Sequence, residues 1–233
     1  MIQSIIGTSF TGGVTTINSF TIEWWQKMTE SAGDYDRLFD VGSNPYESIG
    51  FSEEDQPNTL IVWTDGGMNH VINGFDISSL YNTWVHFAIV RNNNTLELYK
   101  DGIRIYDGVD NKLITNNSSD LEIGGGSGQK FKGYLTNFHF LKGIAKYNGN
   151  FTPSTTPLNP ADYTETKLLL SVTSSNTTFI DSKGNHTANV IGGTWSSQSP
   201  FSDGSGSIYF DGVSTHLNFQ GSYDWAIDLS VPV

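Results

Sequence analysis

The sequence predicts an all-β protein built as a two-sheet antiparallel sandwich of the jelly-roll type. Three observations indicate this fold. One long run of strand-forming residues contains no Gly or Pro, many short strands alternate with turn residues at close spacing, and helical periodicity is limited to about one turn over residues 77–81. Short strands at such spacing are typical of sandwiches and jelly rolls.

The long run spans residues 83–91, Thr-Trp-Val-His-Phe-Ala-Ile-Val-Arg. Because apolar side chains fall on both of its faces, the run predicts a strand that is covered on both sides and lies centrally in a sheet. Residues 92–94 are three asparagines, which tolerate left-handed backbone. The chain then returns through residues 95–100 and turns again at Asp101-Gly102. This pattern predicts a β-hairpin.

The remaining strands are predicted from alternation and from flanking turn residues. They are residues 20–25, 37–41, 48–51, 59–63, 121–124, 131–141, 167–170, 178–180, 188–191, 207–210 and 216–219. Residues 53–55, Glu-Glu-Asp, are predicted to be an acidic loop, and residues 150–160 contain three prolines that predict an extended linker.

Composition limits the classes of function. The chain has 233 residues, 13% of them aromatic, and a net charge of −12. That charge argues against nucleic acid and against electrostatic attachment to anionic membranes. There is no cysteine, which excludes disulfides and thiolate metal sites, and no apolar run long enough for membrane insertion.

The first seven residues lack the basic and apolar regions of a secretory signal peptide. The Ser-, Thr-, Asn- and Gly-rich composition is nevertheless of an extracellular style. A protein assembled in the host cytoplasm and released by lysis as part of a virus particle would combine the two features. The expected location is therefore the virion.

Several segments together resemble laminin-G-like, concanavalin A-like jelly rolls. They are residues 20–25, 84–91, 98–102, 131–143 and 207–212. In their amino-acid sequence, residues 134–140, 151–153 and 167–170 are most similar to copies of this domain in bacteriophage structural proteins. The similarity covers roughly residues 20–230. It implies two stacked antiparallel sheets and a role in binding or assembly, often with glycans.

The order of the pieces departs from that family. Segments like residues 167–229 usually precede segments like residues 20–151, whereas here they follow them. The expectation is an N-terminal arm, residues 1–19, and one circularly permuted sandwich over residues 20–233. Its two pieces, 20–151 and 167–233, are joined by a linker, 152–166, with Ile227 near Phe20. The alternative is a homo-oligomer in which subunits exchange the second piece.

No catalytic motif is found. Glucanases of the resembled fold carry a strand with the pattern Glu-x-Asp-x-(x)-Glu, in which two carboxylates share one face, and no such strand occurs here. Glu23 and Glu97 are expected to face outward. No His-Glu-x-x-His or Gly-x-Ser-x-Gly pattern is present. The prediction is that the protein is not an enzyme, with a glycoside hydrolase as the least favoured alternative.

Calcium is the one metal considered, and no cofactor is predicted to be required. Asp-rich turns supply the oxygen ligands that calcium prefers, and several proteins of the resembled family carry one calcium ion. The candidate ligands are Asp181, Asn185 and Asp211. The alternative is that these residues only form turns, at which Asp and Asn are favoured.

A glycan site needs an exposed aromatic ring to stack on a sugar, and amide or carboxylate groups for its hydroxyls. Such residues cluster around one predicted loop. The candidates are Trp63, Asp65, Asn69, His70 and Tyr46. The alternative is that Trp63 ends a core strand.

Two functions from different classes follow. The first is a virion structural protein, such as a fibre, decoration or baseplate-associated module, whose lectin-like jelly roll contacts host surface glycans. The alternative is a stand-alone carbohydrate-binding lectin module. The expected partners are other virion proteins, cell-surface glycans and further copies of the chain.

Overall fold

A computed structural model describes residues 15–16, 19–30, 35–41, 49–54, 59–64, 70–110, 114, 119–126, 129–172, 179–225 and 230–231. Strands β1 to β10 are Thr15–Thr16, Phe20–Met28, Tyr35–Val41, Ile49–Glu54, Thr59–Thr64, His70–Asp76, Val85–Asn92, Thr95–Lys100, Ile103–Val109 and Leu121–Ile123. Strands β11 to β20 are Gly125–Gly126, Gln129–Lys130, Lys132–Lys142, Thr166–Ser171, Ile180–Asp181, Asn189–Ile191, Thr194–Ser196, Ser207–Asp211, His216–Phe219 and Ser230–Val231. Helices are absent from these ranges, so none of the described segments is a helix that could cross a membrane.

The described strands form two large sheets. One is seven-stranded, in the order β16-β19-β10-β3-β4-β5-β6. The other is nine-stranded, with the path β15-β14-β13-β2-β7-β8-β9, while β18 also pairs with β13 and carries β17. Every pairing between described strands is antiparallel. The predicted all-β sandwich is confirmed.

The predicted hairpin is β7 and β8. Strand β7 lies between β2 and β8 and is buried over residues 85–91, as expected for a strand covered on both sides. Asn93 at its tip has φ of 54°, in the left-handed region. The next turn has φ of 50° at Asp101 and 78° at Gly102, the positive pair that a tight hairpin needs.

Aromatic rings join the two sheets. Trp24 of β2 packs edge-on against Phe51 and Phe39 of the seven-stranded sheet, with ring centroids 4.7 Å and 5.4 Å apart. It also stacks on Phe87 of its own sheet at 5.8 Å. All four rings are buried. Since aromatic side chains bury large apolar areas in specific geometries, this cluster fixes how the sheets face each other.

The segment from residue 143 to residue 165 covers the outer face of the nine-stranded sheet. Tyr147 and Phe151 pack against Tyr99, Ala88 and Val90 on that face. The Phe151 N–H donates to the Gly102 carbonyl at 2.9 Å. The Pro-rich segment predicted as an extended linker therefore has no strand, as expected, but its beginning is packed onto the sheet.

Seven of the described strands were not predicted. Two of them, β6 and β9, are seven residues long, and the others, β1, β11, β12, β17 and β20, have two or three residues each. The predicted acidic loop is wrong in part. Glu53 and Glu54 belong to β4, where they pair with Leu60 and Thr59 of β5, while Asp55 lies outside the described residues. Ladder pairing with β5 overrides the loop-like composition of this stretch.

Strands from both predicted pieces occur in both sheets. Thr15–Thr16, within the predicted arm, pairs with Ser230–Val231 near the other end of the chain. Ile227 lies outside the described residues. The circular permutation, the arm and the exchange of strands between subunits stay predictions.

Candidate functional site

On the outer face of the seven-stranded sheet, paired residues form a row that crosses all of its strands, and most of them are polar. Each member is the Cα partner of the next along the ladder. In order the row is Asn189, Asn218, Glu122, Asp40, Gly50, Trp63 and His70. The flanking residues Leu121, Ile123, Leu217 and Phe219 point into the core. Period-two alternation therefore assigns the row to the opposite face.

A groove of about 740 Å³ lies at the β16–β19 end of this row. Four carboxamide side chains line it, from Asn185, Asn189, Asn218 and Gln220. Asn185, Asn189 and Gln220 are exposed, and Asn218 is half-buried. A carboxamide offers two N–H donors and a carbonyl acceptor, so the groove can both donate to and accept from the hydroxyls of a neutral ligand.

Short hydrogen bonds fix the walls of the groove. Asp120 accepts from Asn218 Nδ2 at 3.0 Å and from the Gly221 N–H at 2.8 Å. His186 Nε2 lies 3.0 Å from Asp224 Oδ2, and its ring is 4.6 Å from the buried Trp225 ring. The hydrogen bond with His186 lowers the pKa of Asp224, and the charge of Lys167 lowers it further. The groove is thus held in place before any ligand arrives.

Tyr223 follows Ser222, which lines the groove, and precedes Asp224. Its side chain is 67% exposed. It is the one exposed aromatic side chain among the residues whose burial the structure describes. An exposed ring beside a row of amides is the combination that sugar recognition requires, because the ring faces supply apolar contact and the amides bind hydroxyls.

Two of the predicted glycan residues, Trp63 and His70, lie at the far end of the same row. Trp63 is only 1% exposed, and the Arg37 guanidinium carbon lies 5.2 Å from its ring centre. Trp63 therefore presents no open ring face to a sugar. It lies near the end of β5 as a buried residue, in keeping with the alternative expectation. His70 pairs with Trp63 along the ladder. Asp65, Asn69 and Tyr46 lie outside the described residues.

The predicted calcium ligand Asp181 is committed to a turn. It is 2% exposed, and its two oxygens accept from the backbone N–H groups of Leu169, Lys183, Asn185 and His186 at 2.8–3.1 Å. A carboxylate has about four lone-pair positions, so these donors occupy it fully. Asn185 instead lines the amide groove.

Asp211 also closes a turn. One of its oxygens accepts from the N–H groups of Val213, Ser214 and Thr215, and the other from the Ser214 hydroxyl. Burial alone would raise its pKa, but the backbone hydrogen bonds outweigh burial and hold the pKa well below the ordinary value. Within the described ranges no group of three His, Cys, Asp or Glu residues is placed to hold a metal ion. Turn formation accounts for both aspartates.

Glu23 lies on the outer face of its sheet, as expected, but is not solvated. It is 1% exposed and contacts His139, Lys146 and Tyr147 at 2.9, 2.5 and 2.6 Å. Glu97 is also buried, between the Tyr99 hydroxyl and the Arg104 guanidinium, both at 2.6 Å. Both carboxylates bind neighbouring side chains, so the outward face on which they lie is covered at these positions rather than open to solvent.

Sequence reasoning missed Asn189, Asn218, Gln220 and Tyr223. The available signal was the alternation of residues 216–219, which places Asn218 opposite to Leu217 and Phe219. What the sequence did not reveal is the pairing of β16 with β19, which brings the amides of two distant segments into one groove.

The sequence matches the profile of a known protein family. A family profile described as the concanavalin A-like lectin/glucanases superfamily, of laminin G type, matches residues 7–144, more than half of the chain. The match begins within the predicted arm. No protein with a curated description matches the chain.

Solved structures also match. One is a proposed carbohydrate binding protein from Bacteroides ovatus ATCC 8483, at 15% identity and a TM-score of 0.56, covering 89% of this chain and 55% of that one. The chain thus spans about half of that structure. Domain 4 of AbnA, a GH43 extracellular arabinanase from Geobacillus stearothermophilus in complex with arabinotriose, matches at 18% identity and a TM-score of 0.39, over 53% of this chain and 60% of that one. The fold and the family profile agree, and the chain belongs to the concanavalin A-like lectin/glucanases superfamily.

Proposed function

We propose that the protein is a non-enzymatic, lectin-like module that binds an oligosaccharide in the amide groove. The observation that carries this proposal is the convergence of four carboxamides, from Asn185, Asn189, Asn218 and Gln220, on one groove. The exposed Tyr223 directly follows the groove residue Ser222 in the chain. The groove volume of about 740 Å³ lies in the range of small-molecule sites.

The charge of the groove favours a neutral ligand. Asp224 is balanced by His186 and by Lys167, whose Nζ lies 3.4 Å from Asp224 Oδ1. The remaining lining groups are amides and hydroxyls, which bind without a formal charge. The whole chain carries a net charge of −12, which disfavours acidic glycans. Neutral oligosaccharides fit these groups better than sialylated or sulfated ones.

Two observations support binding without hydrolysis. The buried carboxylates of Glu23 and Glu97 are occupied by basic and phenolic partners rather than paired across a cleft. The Bacteroides ovatus protein of similar fold is described as a proposed carbohydrate binding protein. Incubation with laminarin or agar should release no reducing ends, and release would contradict this part of the proposal.

The direct experiment is a glycan array with the wild-type chain and with Asn189→Ala/Asn218→Ala. We expect a set of neutral glycans that the wild type binds and the double variant does not. Asn94→Ala, at an exposed asparagine on the hairpin tip, is the matched control and should bind as the wild type does. Binding that survives in the double variant would place the site elsewhere.

We propose in addition that this module serves in a bacteriophage particle, where it contacts host surface glycans. This second proposal rests only on the resemblance, inferred from the sequence of residues 134–140, 151–153 and 167–170, to copies in bacteriophage structural proteins. Mass spectrometry of purified virions tests it, since a virion component is present in intact particles. Absence from particles would leave the stand-alone lectin module.

A further inference from the structure

Strand β13 changes its neighbour in mid-course, which opens a gap in the nine-stranded sheet. Over residues 132–135 it pairs with β18, and from Phe138 onward it pairs with β14. On its other side the ladder with β2 shifts register between Thr136 and His139. Asn137 lies at this break, with φ of 52°. Left-handed backbone is uncommon inside a strand. Asparagine tolerates it better than most non-glycine residues but still carries some strain there.

The Asn137 side chain is also unsatisfied. The residue is 2% exposed, and Nδ2 has no hydrogen-bond partner among the described residues. A buried donor without a partner costs about 1–3 kcal/mol. Strain and an unmet donor at one buried residue are typical of functional positions, where stability is given up for a purpose.

Asn137 lines a cavity of about 380 Å³ on the outer side of the gap. Its other polar walls are Thr136, Ser171, Asp203 and Ser205. Hydrogen bonds from the Ser205 hydroxyl and N–H hold the pKa of Asp203 below its ordinary value, so Asp203 is an ionised acceptor at neutral pH. Gly204, between them, has φ of +81° and no atom within 4 Å of the position of a side chain, which leaves the mouth of the cavity open.

The ligand class follows from these groups. Asn137 Nδ2 lacks an acceptor, Asp203 can accept further hydrogen bonds besides those from Ser205, and the hydroxyls of Thr136, Ser171 and Ser205 can donate or accept. Asp203 and the acidic chain oppose an anion, while the unmet N–H donor opposes a cation. A small neutral polyol, which carries donors and acceptors on the same hydroxyl groups, satisfies both requirements.

We propose that this cavity is a second binding site, which takes a single neutral sugar residue. Asp203 accepts from one of its hydroxyls, and the Asn137 side chain in the cavity wall turns its buried Nδ2 to donate to another. Only the ligand class is shared with the proposed function, since none of the residues that line this cavity lines the amide groove. The site would hold one terminal unit of a glycan, whereas the groove has room for several units.

The test is a nuclear magnetic resonance titration of the full chain, labelled with nitrogen-15. The probes are the methyl glycosides of glucose, galactose, mannose and arabinose. We expect at least one glycoside to shift the Asn137 side-chain NH₂ signal, identified by its loss in Asn137→Gly. Binding, followed on the backbone signals of Ser171 and Ser205, should weaken about tenfold or more in that variant.

Asn93→Gly is the matched control, because Asn93 also has left-handed backbone, with φ of 54°, but is exposed on a hairpin. Glycine relieves the backbone at both positions, and only at residue 137 does it also remove a buried unmet donor. Asn137→Gly should therefore unfold at the same temperature as Asn93→Gly or higher, while Asn93→Gly should bind the glycoside like the wild type.

Three results would overturn the proposal. One is that no glycoside shifts the Asn137 signal, and another is that Asn137→Gly binds with wild-type affinity. The third is that Asn137→Gly unfolds well below Asn93→Gly, because the amide would then be a structural group. Shifts confined to Asn189 and Asn218 would support the groove and exclude this cavity, whereas shifts confined to the cavity would do the reverse.

Discussion

Glu23 and His139 face each other across neighbouring strands, with Glu23 Oε1 2.9 Å from His139 Nδ1. Lys146 and Tyr147, from the segment that covers this sheet, reach the same carboxylate. His139 Nε2 in turn lies 2.9 Å from the Thr166 hydroxyl, at the start of β14. One buried carboxylate thus links β2, β13 and the irregular segment that follows β13.

Replacing this charge should destabilise the protein strongly. In Glu23→Gln the ammonium group of Lys146, which is 10% exposed, loses its partner while staying largely buried. Breaking a buried pair in this way costs about 3–5 kcal/mol of unfolding free energy. Urea denaturation measures the loss.

The control is Glu30→Gln, which removes the exposed ion pair between Glu30 and Lys132. Exposed pairs contribute about 0–1 kcal/mol, so this variant should stay near the wild type. If the two substitutions lower the unfolding free energy equally, the contacts of Glu23 with Lys146 and its other partners do not stabilise the fold more than an exposed ion pair does.

The stabilisation from Glu23 should depend on pH. Burial would raise the pKa of Glu23, but hydrogen bonds with His139 and His86 and the charge of Lys146 outweigh it and hold the pKa well below the ordinary value of 4.5. Because the folded pKa is depressed, this stabilisation is fully present above pH 4.5 and is lost as the pH falls toward the folded pKa.

Urea denaturation of wild type and Glu23→Gln at a series of pH values measures the dependence. The difference in unfolding free energy should be constant from pH 7 to about pH 5 and shrink below pH 4.5. A difference that grows on acidification would mean that the folded pKa of Glu23 is raised.

Alanine substitutions at two glycines test how closely residues 143–165 pack against the β8–β9 turn. Gly102 and Gly184 both have φ of +78°, but a side chain at Gly102 would meet the Phe151 carbonyl oxygen at 1.9 Å, while one at Gly184 meets nothing within 4 Å. Gly184→Ala should cost about 1–2 kcal/mol from backbone strain alone.

Gly102→Ala should cost clearly more, because it adds a clash with backbone to the same strain. Thermal or urea denaturation of the two variants gives the difference. If they lose equal stability, the segment yields easily and is not tightly packed on the sheet.

Calcium should have little effect on stability. Four N–H groups occupy the two oxygens of Asp181. Asp211 accepts three N–H groups on one oxygen and the Ser214 hydroxyl on the other, so binding calcium would disrupt the hydrogen bonds of both turns. Adding millimolar calcium, or removing metal with a chelator, should leave the melting temperature unchanged. A rise of several degrees with calcium would restore the predicted site or reveal another.

The fold was predictable because its signals are local. The hairpin of β7 and β8 shows an uninterrupted apolar run and turn residues with the required backbone freedom. Strand β9 was missed because its residues are exposed or half-buried, so that pairing with β8 rather than its own pattern defines it. Glu53 and Glu54 show the same override, since β5 draws an acidic stretch into a ladder.

The candidate site was less predictable because it depends on contacts distant in sequence. The chemistry sought, an aromatic ring and amides, is also that of the proposed groove, but sequence cannot distinguish an exposed Trp63 from one buried against Arg37. The groove joins residues 185–189 to residues 218–222, and only the β16–β19 pairing brings them together. Asn137 gave no signal, since a strand break appears only when both neighbouring strands are known.

Carbohydrate binding in the amide groove is the central claim, and isothermal titration calorimetry tests it most directly. Neutral oligosaccharides of glucose, galactose, mannose and arabinose would be titrated into wild type, Asn189→Ala/Asn218→Ala, Tyr223→Ala and the Asn94→Ala control. At least one oligosaccharide should bind wild type and control equally. Each groove variant should lose about tenfold or more in affinity while its melting temperature stays close to that of the wild type. Equal affinity of all four proteins, or no heat with any oligosaccharide, would contradict the claim.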